Sequence, residues 1–157
     1  YGNTGGWSDS TSVLNFKLGV LMDIFLDQSK QDLVLQDGDL KITQDRRDEL
    51  IQRLFIRFKT FTREWFWDLD YGVDYINEVF GVARSKSTVD ALIRNTISQE
   101  VLVDRYENFT SEIENYRYSC SFDIYLIQEQ EQLNLYFLVN DQGLTLTDGK
   151  NKLYTTF

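Results

Sequence analysis

Apolar positions along this chain switch from a strand spacing to a helix spacing and back again. Asp32-Leu33-Val34-Leu35-Gln36 and Leu40-Lys41-Ile42-Thr43 read as two short strands around Asp37-Gly38-Asp39. Asp-Gly is a strong two-residue hairpin signal because both positions tolerate positive φ. Leu50, Ile51, Leu54, Phe55 and Phe58 then form one helical stripe, with Asp45 and Asp48 spaced as a capping pair at its start. Arg53 and Arg57 lie a turn apart on another face, with Glu49 at i,i+4 to Arg53, and this predicts a solvated basic face. A short helical piece is expected over 74–80, with Gly81 as its left-handed C-cap. Ser87 and Asp90 are placed to cap a second long helix whose stripe is Val89, Leu92, Ile93, Ile97 and Val101.

The period then becomes two. Tyr116, Tyr118, Cys120, Phe122, Ile124 and Leu126 fall on one strand face and Arg117, Ser119, Ser121 and Asp123 on the other. After the polar connection Gln128–Gln132, the residues Leu133, Leu135, Phe137 and Val139 repeat the alternation, as a partner strand with one buried face would. Gly143–Thr147 and Lys152–Phe157 flank a second Asp-Gly turn and predict a C-terminal hairpin at a sheet edge. The expected fold is α+β: an N-terminal β-hairpin and two main helices packed on an antiparallel sheet. Residues 1–21 read as an extended N-terminal arm, 22–140 as the domain body and 141–157 as a C-terminal β tail. The arm is polar and Gly-rich over Tyr1–Ser10 and ends in Val13-Leu14-Asn15-Phe16-Lys17-Leu18, which could dock. Met22 has the look of an ordinary start, so residues 1–21 read as an extension or upstream sequence.

Charge narrows the function classes. Sixteen Lys and Arg against twenty-five Asp and Glu give a net charge of −9, a field that repels phosphate backbones and anionic lipid. No nucleic acid and no membrane partner is expected, and no apolar run nears the roughly 20 residues a bilayer span needs. With no basic leader region, the chain reads as made in the cytoplasm and used without secretion. His is absent and Cys120 is the lone cysteine, which removes the usual neutral-pH base and a thiolate metal cluster. No cofactor and no metal is expected, and Asp37-Gly38-Asp39 lacks the alternating oxygen ligands of a calcium loop.

Aromatic residues make up 15% of the chain, and the segment Glu64–Tyr75 concentrates them among carboxylates. Tyr and Trp join a large apolar body to a polar tip, so this block suits a surface that packs on something yet stays wet. Trp65, Trp67, Tyr71 and Tyr75 are the expected anchors there, beside Glu64. One alternative is a peptidoglycan hydrolase using Glu64 with Asp68 or Asp70 as a carboxylate pair. A chain with twenty-five acidic residues produces such spacing readily without catalysis. A regulatory binding module in the cytoplasm is a third class. The C-terminal strands, free of Pro, also suit β-augmentation, in which an edge accepts an extended segment through main-chain hydrogen bonds. Tyr136, Leu144, Leu146 and Tyr154 are the strand positions expected to matter for it.

These features together resemble the baseplate wedge family of contractile-tailed bacteriophages, the W-like or sheath-initiator proteins once described as lysozyme-like. The residues that carry the resemblance are Asp37-Gly38-Asp39-Leu40, Ile51-Gln52-Arg53-Leu54 with Arg57 and Lys59-Thr60-Phe61, Glu64-Trp65-Phe66, Asp68, Tyr71-Gly72-Val73-Asp74-Tyr75, Phe80-Gly81 and Ile93-Arg94. Where family members often carry Glu-Pro-Arg after the second helix, this chain has Glu100-Val101-Leu102. Only Glu100 carries over, without the Pro-imposed stop. The resemblance implies a structural, non-enzymatic subunit of the virion baseplate. Copies would ring the tail tube, contact other wedge proteins, and template the first ring of tail sheath protein by accepting sheath arms onto the sheet. Arg53 and Arg57 are secondary candidates for partner contact.

Overall fold

The computed structural model describes residues 23–80, 85–129, 132–149 and 153–155. The N-terminal arm, the Gly81 cap, residues 130 and 131 of the polar connection and, of the expected last strand, Lys152, Thr156 and Phe157 lie outside them. The fold is α+β, as the alternating periods predict.

Asp37 and Gly38 sit at φ 55° and 86°, the left-handed pair of a type I′ turn, between β1 (Leu35–Gln36) and β2 (Asp39–Leu40). The strands are shorter than the sequence suggests, but bridges Ile24↔Ile42 and Leu26↔Leu33 widen the platform. Gln52 pins it to the first helix. Its side-chain oxygen accepts from Leu26 N at 2.7 Å and its amide donates to Ile24 O at 2.8 Å, so one side chain stands in for a strand neighbour.

Helix α1 (Arg46–Lys59) starts at Asp45, whose carboxylate accepts from Arg47 N at 2.7 Å. Leu50, Ile51, Leu54, Phe55 and Phe58 are all fully buried. The expected short helix is a single π-helical turn, Tyr75–Phe80. Helix α2 (Lys86–Ser98) is capped by Ser85 rather than Ser87, because the Ser85 hydroxyl is the one that reaches the Thr88 N–H. Asp90 does other work, accepting from Lys86 Nζ at 2.9 Å and from the Tyr118 hydroxyl at 2.8 Å. Val89, Ile93 and Ile97 are buried as expected. Val101 is exposed, because the helix has already ended at Ser98.

Five strands follow in sequential antiparallel order: β3 (Val103–Glu114), β4 (Arg117–Leu126), β5 (Gln132–Asn140), β6 (Gly143–Asp148) and β7 (Leu153–Thr155). The inward positions of β4 and β5 are the predicted ones, Tyr118 to Leu126 and Leu133 to Val139. Tyr116 is the exception. It occupies the two-residue turn with Asn115 at φ 61°, 90% exposed, because Glu114↔Arg117 is the pair that closes the hairpin. The sheet packs its inner face on the helices, with Phe58 stacked on Phe137 at 4.4 Å and Phe55 on Tyr154 at 4.7 Å. Cys120 is a small core residue, and burial pushes its thiol up to about 12.

Candidate functional site

After Lys59 the chain leaves the helix and comes back beside Thr60 and Phe61 at Val73, closing an Ω-loop over 61–73. A parallel bridge Phe61↔Val73 and the bond from Val73 N to Thr60 O, 2.9 Å, form its stem. Gly72 is required there. It lies at φ 103°, and a Cβ would stand 2.4 Å from the Thr60 carbonyl oxygen. Short turns fold the loop tip, through Asp68 N to Trp65 O at 3.1 Å and Tyr71 N to Asp68 O at 3.2 Å.

A buried ionic cluster braces the loop from below. Arg53 Nε meets Glu100 Oε1 at 2.6 Å, and Arg57 Nε lies 3.4 Å from Glu100 Oε2. The Glu100 side chain is wholly buried, and it also accepts from Val101 N at 3.1 Å. Arg57 Nη1 donates to Gln99 at 3.3 Å, and its guanidinium sits 4.5 Å from the Tyr71 ring centre. Tyr71 in turn meets Trp65 edge-on at 5.2 Å. Burial works to lower the Arg53 pKa, but the hydrogen bond to Glu100 and the negative charges of Glu100, Glu49 and Asp23 together outweigh it and raise it. Glu49, also buried, is raised, first by desolvation and against the pull of the Arg53 charge. Burial likewise raises the Tyr71 phenol.

The expected solvated basic face is therefore absent from this part of α1: Arg53 and Arg57 converge on Glu100 because its burial demands charge partners. The loop tip is the opposite case. Trp65, Phe66 and Trp67 are 45%, 70% and 75% exposed, and the Phe66 and Trp67 rings lie 3.6 Å apart. Glu64 and Asp68 are exposed and spend their carboxylates on local turns, accepting from Phe61 N at 2.8 Å and Asp70 N at 3.1 Å.

Other expected site residues fall elsewhere. Tyr75 is a core residue whose hydroxyl donates to Phe58 O at 2.6 Å, so it braces the loop from inside instead of facing a partner. Leu144, Leu146 and Tyr154 point into the core, because inward alternation on β6 and β7 puts them on the helix side of the sheet. Tyr136 is half-buried on the outer face, its hydroxyl 3.3 Å from Arg117 Nη2. Gln52, which the Ile51–Leu54 motif contains but gives no role, and Gln99, which lies in no motif, are the polar partners that complete the scaffold.

Among the described residues the α+β scaffold carries an exposed aromatic loop, and β3 and β7 form the rims of its five-stranded sheet. A model of the contractile injection system sheath initiator family matches residues 22–129, and the chain belongs to that family. No curated protein matches the chain. Its role is accordingly structural and tied to the sheath of a contractile injection system. The matched stretch takes in the hairpin, both helices, the Ω-loop, β3 and β4, and ends before β5.

Proposed function

We propose that this chain is a baseplate wedge component of a contractile tail, present in several copies around the tail tube, and that it starts the first sheath ring by β-augmentation. Sheath protein, other wedge proteins and the tube are its partners in this reading, and the virion baseplate is its location. The observation that carries the proposal is an asymmetry between the two rims of the five-stranded sheet.

The β3 rim is defended. Its pairing is interrupted between Val103/Arg105 and Glu107/Thr110, Asn108 sits at φ 52°, and Asp104, Arg105, Glu107, Glu112 and Glu114 line it with charge. Bulges and charges are the usual devices that stop an edge from recruiting another strand. β7, the other rim among the described residues, has neither: Leu153-Tyr154-Thr155 carries no charge and no Pro, and Gln31 covers its end by donating to Thr155 O. An apolar groove of about 520 Å³ runs between α1 and the start of β6, walled by Phe55, Phe58, Phe61 and Leu144, and Gln31, which also lines it, reaches the end of β7 through that bond. An extended arm laid on this rim would gain main-chain hydrogen bonds and place alternate apolar side chains against the groove. Such a joint can persist while sheath subunits rearrange.

The test compares the rims. Thr155→Lys puts a charge on β7 and should cut the fraction of baseplates that carry sheath by about tenfold or more, whereas Glu112→Lys on β3 should leave it unchanged. Circular dichroism checks that both variants fold. Equal sheath assembly on the two variants would refute the β7 reading.

A further inference from the structure

We propose that the Ω-loop tip is a second docking surface, distinct from the sheet rim, and that its occupant is an amphipathic segment of another protein carrying Lys or Arg beside its apolar anchors. The first support is exposure. Phe66, Trp67 and Leu69 are 70%, 75% and 56% exposed on one loop, a concentration of apolar surface that marks interaction sites. These rings are also pre-ordered. Phe66 lies against Trp67, Trp65 leans on Tyr71, and Tyr71 rests on the Arg57 guanidinium held by Glu100. Rigid aromatic anchors lose little freedom on binding, which is why they dominate interface energetics. A cleft of about 350 Å³ between Ile56, Thr60, Glu64, Trp65 and Tyr71 offers a seat for one anchoring side chain.

Charge complementarity selects the occupant. From Glu64 to Glu78 the chain carries the carboxylates of Glu64, Asp68, Asp70, Asp74 and Glu78 and no Lys or Arg. Arg63 stands at the loop stem, and Arg57 beneath is engaged with Glu100. A second copy of this chain would bring the same carboxylates against these, and an anionic lipid surface would be repelled. A basic, apolar segment meets both features at once.

The probe is an amphipathic Leu/Lys peptide titrated into the full chain by calorimetry, with its Leu/Glu counterpart as control. The Leu/Lys peptide is expected to bind and the Leu/Glu peptide to fail. Trp67→Ala, at a solvent-facing position, should weaken binding at least about tenfold. Asp68→Asn with Asp70→Asn, which keeps acceptor oxygens for the local turns, should weaken it several-fold, with a shallower salt dependence. A peptide held only by the net charge of −9 would bind the Trp67→Ala chain equally, and that result overturns the proposal. So would binding of neither peptide, binding that needs removal of residues 1–21, or a self-association that Trp67→Ala abolishes. Thr155→Lys should bind the peptide as the parent chain does, so failure here is separable from failure at the sheet rim.

Discussion

Gly72 and Glu100 are the two residues on which the aromatic loop depends, one through geometry and the other through charge. Any side chain at Gly72 combines a positive φ with a collision against the Thr60 carbonyl oxygen, an atom that also accepts the bond closing the loop. Gly72→Ala should cost about 2 kcal/mol or more, read as a lower thermal midpoint, and should free the loop to proteolysis near Trp67. Glu100 is the sole carboxylate that the described ion pairs give to Arg53 and Arg57. Glu100→Ala would strand two partly buried cations and should destabilise the chain by about 3 kcal/mol in denaturant titration. The sequence motif signalled Glu100 as important but not as buried. Sequence spacing within α1 showed Arg53 and Arg57 together, yet their target lies 47 residues away from Arg53, a pairing that only the packing of α2 on α1 creates.

The elements read most clearly from sequence are those with an uninterrupted period. The α1 stripe and the inward residues of β4 and β5 were legible because each lies on a regular face of a single element. Strand β3 was not. Its inward or half-buried residues Val103, Tyr106 and Phe109 recur every third position, since the register shifts after Val103 and after Glu107 each displace the alternation. Asp123 fixes the second irregularity from the neighbouring strand, accepting from Asn108 at 2.7 Å and Asn134 at 2.8 Å. Those two hydrogen bonds, Asn108 first, hold its carboxyl below the usual carboxylate range. A depressed folded-state pKa stabilises the fold above the unfolded value and is lost as pH falls through the folded one. Burial pushes the Asp90 carboxyl up, but the bonds from Ser111, Lys86 and Tyr118 and the Lys86 charge together overcome it and hold it down, so Asp90 adds in the same direction. Stability should therefore drop on acidification below about pH 4, and Asp123→Ala should flatten that dependence while costing about 1–3 kcal/mol at neutral pH. Urea melts of both chains across pH check this, and identical acid limbs would contradict it.

At the scale of the whole molecule, the described helices and inner sheet face form one core, with the uncharged β7 rim and the aromatic loop among the features they leave at the surface. The sequence announced the loop through its composition, and it announced a C-terminal edge through its second Asp-Gly turn. It did not reveal that β3 is the opposite, defended rim, because edge status follows from strand order and not from local pattern. Membership of the sheath initiator family gives these surfaces a context, and the β7 rim is the one proposed to meet the sheath. High-resolution imaging of an assembled tail containing this chain tests that directly. The account predicts an extended segment of a sheath subunit hydrogen-bonded along the outer side of β7. Density in which sheath contacts reach β3 instead, with β7 bordered only by its own chain, would contradict it.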